Sequence, residues 1–143
     1  MSSARSRARR AVMQALYQWE MSGADVREVE AQFIAEQDLS KADIPYFQAL
    51  VHEIPAHLHE IDAIIAPLLD RPVRELDPVE RAILRIGACE LRYHPDIPFR
   101  VVINEGVELA KTFGAEQSHK YVNGVLDKVA HRLRVREVEK KSR

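Results

Sequence analysis

The chain has 143 residues, with 21 basic and 22 acidic side chains, a net charge of −1, 46% hydrophobic and 30% charged residues. That balance is too apolar for a disordered chain and ordinary for one globular domain. A single cysteine excludes an intrachain disulfide and a cysteine-based zinc site, and no apolar run approaches the roughly 18 residues of a membrane span.

Helical periodicity runs from end to end. The first helix is predicted from about Ser3 to Met21, with Ala8, Ala11, Val12, Ala15, Leu16 and Trp19 as its apolar stripe. Arg10, Gln14, Tyr17 and, nearer the edge, Arg7 fall on the other side. Ser22-Gly23 ends it, since glycine accepts a left-handed cap. Asp25 with Glu28 starts a second helix that fades near Gln37. A third follows Asp43, with Pro45 in its first turn. Pro55 is expected to kink or break it, and helical spacing resumes through Leu58, Ile61, Ile65, Leu68 and Leu69.

Asp77-Pro78-Val79-Glu80 is the clearest helix start, leading a nearly all-apolar helix to about Tyr93. Only Arg81, Arg85 and Arg92 give it a polar stripe, so it belongs at the centre of a bundle. An amphipathic helix is predicted over 99–113, closed by Gly114, and a last one from Ser118 to about Arg134. The expected fold is all-α, a compact bundle of six to seven helices in one domain, with halves of about 1–70 and 75–135 and a basic tail at 134–143.

Charge is distributed unevenly. Residues 1–10 carry +4 and residues 132–143 another +4, which leaves −9 on the intervening body. Such ends suit a polyanion at defined places; the C-terminal EVEKKSR also reads as a simple solvated tail. The basic N-terminus is followed by no uninterrupted apolar stretch, so no secretory signal is expected and the cytoplasm is the expected compartment.

Catalysis is not indicated. Cys89 falls on the apolar side of the central helix, His52, His57 and His59 lack metal-ligand spacing, and no phosphate-cradling glycine loop occurs. Glu90 lies in an apolar face, where a structural ion pair or capping role is expected. No catalytic residue, metal or cofactor is assigned. The stronger signal is for single-stranded RNA: phosphates favour Arg and Lys, and unstacked bases favour aromatic platforms. Arg10, Gln14 and Tyr17 combine these on the first helix. Ser118, His119, Lys120 and Tyr121 combine them at a helix N-terminus, although Tyr121 equally suits the rim of the core. The expectation is that these two helices lie side by side and share one RNA strand.

Several segments are specific enough to suggest kinship. Ala8-Arg9-Arg10-Ala11-Val12-Met13-Gln14-Ala15-Leu16-Tyr17-Gln18-Trp19, Val79 to Ile86 with Glu90-Leu91, Asn104 to Lys111 with Phe113-Gly114, and above all Ser118 to Lys128 resemble, in order, the NusB family of bacterial transcription antitermination factors. The resemblance implies an all-helical, non-catalytic RNA-binding protein that pairs with NusE, a small-subunit ribosomal protein. It implies binding of boxA RNA in ribosomal RNA operons, within an RNA polymerase antitermination complex. It carries RNA contact onto Arg5, Arg7, Arg9 and Arg10 and onto Ser118, His119, Lys120 and Tyr121, and NusE contact onto Glu75, Glu80 and Arg81. It also allows a homodimer that hides the first helix, and an alternative role as the RNA-recognition part of a ribosomal RNA methyltransferase, which would need its catalytic domain on a second chain. Pro55 departs from the family's longer helix, a local matter of geometry.

Overall fold

The structure, a computed structural model, describes residues 3–141 and contains eight α-helices among them. They are α1 (Ala4–Ser22), α2 (Val26–Glu36), α3 (Ile44–Ala56), α4 (Leu58–Ile65), α5 (Pro78–Tyr93), α6 (Phe99–Phe113), α7 (Ser118–Leu133) and α8 (Val135–Lys141). Short 3-10 turns occupy Ala66–Leu68 and Val73–Glu75. No helix among the described residues is long and apolar enough to cross a membrane. Two compact units divide the chain between Leu58 and His59, earlier than the expected boundary near 70–75.

The first unit is built from α1, α2 and α3, which contact one another pairwise. Each begins where its sequence says it should. The Ser3 side chain accepts the Ser6 N–H, Asp25 accepts that of Arg27, and Asp43 accepts that of Tyr46. Gly23 ends α1 at φ 69°, a left-handed conformation that an L side chain would strain. Its N–H returns to the Trp19 carbonyl. Ala8, Val12, Phe47, Leu50, Val51 and Ile54 are fully buried, and the Phe33 and Phe47 rings stack with centroids 6.2 Å apart. Pro55 does not stop α3 where it stands. The helix continues to Ala56 and breaks at His57, whose φ of −115° and ψ of 24° leave the helical region. Helical geometry resumes at Leu58 but gives way after Ile65 to the 3-10 turn that holds Pro67, short of the expected Leu69.

The second unit centres on α5. Every residue from Arg81 to Leu91 is buried, Cys89 and Glu90 included. The polar stripe expected on this helix is therefore mostly internal. Arg85 grips Asp62 of α4 through two bonds of 2.9 Å, and Arg81 donates to the carbonyls of Val73, Arg74 and Leu76; only Arg92 reaches solvent. α5, α6 and α7 pack against each other through a shared notch. A Cβ added at Gly87 of α5 would lie 2.6 Å from one methyl of Leu126, and one added at Gly106 of α6 would lie 2.7 Å from the other. The two glycines leave the space that a single α7 leucine fills.

The C-terminal segment is not the tail expected from its composition. α8 covers Val135–Lys141, with Val138 buried. Arg134, 8% exposed, donates to the carbonyls of Glu90, Leu91, His94 and Ile97 and pairs with Glu137 at 2.7 Å. One guanidinium thus supplies donors to carbonyls at and beyond the end of α5, where a helix has none of its own.

The notch predicts a coupled pair of substitutions. Gly87→Ala overpacks the wild-type core and should cost about 1–3 kcal/mol, and Leu126→Ala about 2–5 kcal/mol. In the double variant the truncated leucine leaves room for the new methyl, so urea denaturation should show a cost well below the sum. Strict additivity would contradict the packing described.

Candidate nucleic-acid interface

In the first unit, α1 presents its polar face as read from the sequence. Arg10, Gln14 and Tyr17 are exposed and Arg7 is half-buried, all on one side of the helix at spacings of three, four and three residues. Tyr17 is 41% exposed, a large ring left in solvent. Arg7, Arg10 and Gln14 line one wall of a groove of about 320 Å³. The segment between α2 and α3 lines the other wall, with Asp38, Ser40 and Lys41. Lys41, exposed in this groove, is a cation that the periodicity of helices does not reveal, because it sits in a loop. Asp38 accepts both the backbone N–H and the hydroxyl of Ser40, and these bonds hold its carboxyl below its ordinary value.

The other two N-terminal arginines have different surroundings. Arg9 is 2% exposed and its guanidinium lies 5.5 Å from the Tyr46 ring centre. Arg5 lies 4.4 Å from the same ring and 3.8 Å from the Asp43 carboxylate. The Asp43 N–H donates to the Ala4 carbonyl at 3.0 Å, closing the start of α1 onto the start of α3. Arg9 is thus turned inward against Tyr46 instead of offering its charge to solvent.

In the second unit, the turn before α7 is set by Gly114, where a Cβ would come within 2.8 Å of the Ala110 carbonyl oxygen and of the Ser118 Cβ. Ser118 is 5% exposed beneath that glycine, so its hydroxyl is not offered outward as the sequence suggests. Lys120 is exposed and His119 partly so. α7 starts with no side-chain cap and no acid in its own first turn.

Tyr121 sits at the rim of the second unit, neither fully buried nor fully exposed. Its ring is partly buried and its hydroxyl donates to the Asp70 carboxylate at 3.0 Å, across 51 residues of chain. Arg71 grips that carboxylate with two bonds of 2.8 and 3.0 Å, and its guanidinium carbon stands 5.5 Å from the Tyr121 ring centre. The Arg71 fork, then the Tyr121 hydroxyl, pull the Asp70 pKa down to about 2. Burial, then the bond to Asp70, pushes the Tyr121 hydroxyl up. Neither Asp70 nor Arg71 stands out in the sequence, where Arg71-Pro72 reads only as the end of a half.

Of the residues matched to protein contact, Glu75 is exposed on its 3-10 turn and Glu80 is half-buried in the first turn of α5. Arg81 is 7% exposed and spent on three carbonyls of the preceding segment, so it shapes this surface from beneath.

Residues 6–131 match the family model described as NusB family. The transcription antitermination protein NusB of Alcanivorax borkumensis is 55% identical over 139 residues, covering 97% of this chain and 93% of that protein. Among solved structures, T. maritima NusB superposes with a TM-score of 0.79 at 34% identity, covering 91% of this chain and 92% of that one. A complex of the antitermination factors NusB and NusE with double-stranded RNA contains a chain that superposes with a TM-score of 0.81 at 32% identity, covering 90% and 97%.

The Asp70 arrangement has a titration signature. Its carboxyl should titrate near the depressed value of about 2 in side-chain NMR. Because the folded-state pKa is lowered, its stabilising contribution is present above the unfolded value and is lost only as pH falls through the folded one. Tyr121→Phe removes one donor and should raise that pKa, while Arg71 keeps it below the usual carboxylate range. An ordinary carboxylate titration in the unsubstituted chain would contradict the geometry.

Proposed function

The chain belongs to the NusB family of transcription antitermination proteins, and on that premise we propose that it is a non-catalytic adaptor that binds single-stranded boxA RNA together with NusE. Its setting is the cytoplasm, in an RNA polymerase complex that transcribes ribosomal RNA operons. The observation that carries this reading is the face of α1 on which Arg7, Arg10, Gln14 and the exposed Tyr17 ring stand in line. Guanidinium groups take phosphates bidentately, and a solvent-facing ring gives an unstacked base a surface to lie on. A duplex keeps its bases stacked and has no use for that ring, which favours a single strand.

In this reading Arg7 and Arg10 contact phosphates, with Lys41 across the groove adding a third charge. Gln14 hydrogen-bonds a base edge or sugar, and Tyr17 stacks. Arg5 and Arg9 support the same face through Tyr46. His119 and Lys120 supply a second contact region at the start of α7, where the positive end of the helix also suits a phosphate. Ser118 holds the turn beneath it. Glu75 and Glu80 are offered to NusE, with Arg81 fixing the backbone on either side of Glu75. Self-association that covered α1 would compete with RNA, so the oligomeric state belongs in the same experiment.

The test is boxA RNA binding with and without NusE over a salt series, with a duplex of the same sequence as competitor and light scattering at each protein concentration. Arg7→Ala with Arg10→Ala should weaken binding and flatten the dependence of log affinity on log salt by about 0.7 for every single-strand phosphate that is no longer neutralised. Tyr17→Ala should weaken binding with little change in that slope. Unchanged affinity and slope in the double arginine variant, or preference for the duplex, would overturn the reading.

A further inference from the structure

Beside the start of α7 the chain holds an anion in place with its own side chain. The Asp70 carboxylate accepts two bonds from the Arg71 guanidinium, at 2.8 and 3.0 Å, and one from the Tyr121 hydroxyl, at 3.0 Å. A planar guanidinium fork suits phosphate as well as carboxylate, and a phenol hydroxyl donates to either. The Asp70 and Arg71 side chains are 59% and 45% exposed, so the pair is open to exchange with solutes. An exposed pair of this kind adds little to stability, and chain neighbours gain nothing in tertiary structure by pairing with each other. Lys120, next to Tyr121 in sequence, is exposed and has no ion-pair partner among the described residues. The first turn of α7 that carries both has no acid and no side-chain cap.

We infer that Arg71 and Tyr121 form an anion site for a backbone phosphate of RNA, which Asp70 occupies in the free protein and yields when RNA arrives. The inference rests on the RNA-binding reading above and deepens it. It adds Arg71 to the residues that touch RNA and makes Asp70 a built-in competitor that lowers affinity. The exchange breaks no covalent bond. Arg71 rotates its fork from the carboxylate to the phosphate, and the Tyr121 hydroxyl changes acceptor. Asp70 is ionised throughout the physiological range, since Arg71 and Tyr121 hold its pKa at about 2, so the competition is constant and is not a pH switch.

Asp70→Asn tests this in the full chain. The amide keeps the size of the side chain and an oxygen for Tyr121, and it loses the charge. Single-stranded boxA RNA should bind the variant several-fold more tightly, with a salt slope steeper by about 0.7, the equivalent of one more neutralised phosphate. Adding Arg71→Gln should abolish both gains, and thermal melting should report the same fold in all variants. Unchanged or weaker RNA binding by Asp70→Asn would overturn the inference and leave Asp70 a simple brace for Tyr121. Inorganic phosphate provides an arm that does not depend on RNA. Followed by NMR at the Arg71 Nε–H, it should give a saturable shift in Asp70→Asn and a weaker response in the unsubstituted chain, and equal responses would overturn the anion site. If phosphate binds as expected while no form of the protein binds RNA, the RNA-binding reading fails and the anion site stands. If the Arg7 and Arg10 variants lose RNA but Asp70→Asn changes nothing, this inference alone fails.

Discussion

The second unit depends on one close approach. Leu126 places its two methyls in the spaces left by Gly87 and Gly106, so α7 sits against α5 and α6 at a distance that no larger residue permits. Packed interiors transmit such constraints because they have no slack. Tyr121 stands five residues before Leu126 on the same helix, about 7.5 Å along its axis. The seating of the leucine therefore sets the height at which the phenol meets Asp70. Gly114 sets the other end of the same segment by admitting Ser118 beneath the turn. A surface that looks like four polar residues in a row is positioned by glycines that carry no chemistry.

The arginines divide by the same logic into two populations. Arg9, Arg81, Arg85 and Arg134 are each less than a tenth exposed and bound to rings, carbonyls or a carboxylate. Guanidinium suits this work because its fork reaches several acceptors at once and is less strongly hydrated than an ammonium group. Arg7, Arg10 and Arg71 reach solvent and carry charge where a polyanion can meet it. The near-neutral net charge thus describes neither population. In the proposed function, recognition of RNA is local, built from a few charges beside an exposed ring, and not from a basic surface.

Local signals made most of the fold legible. Ser3, Asp25, Asp43 and Asp77 announce their helices because a cap acts on the next two or three residues. Gly23 and the face of α1 were legible for the same reason. What escaped depends on distant partners. The final segment reads as a tail until Arg134 finds carbonyls some 40 residues away. The Asp70 partnership with Tyr121 spans 51 residues. Arg9 and Arg10 are indistinguishable by composition, and only the rotation of one residue along α1 buries the first and exposes the second. The chain divides at Leu58, beside the break at His57 that follows Pro55, whereas the sequence reads Arg71-Pro72 as the end of its first half.

Photocrosslinking of 4-thiouridine-substituted boxA RNA to the NusE-bound chain, followed by mass-spectrometric mapping of the attached peptides, shows which helices touch the strand. Crosslinks are expected at the α1 peptide that carries Tyr17 and at a peptide that contains Lys120 and Tyr121. Crosslinks confined to α2, α6 or α8, with both of those peptides unmodified, would contradict it.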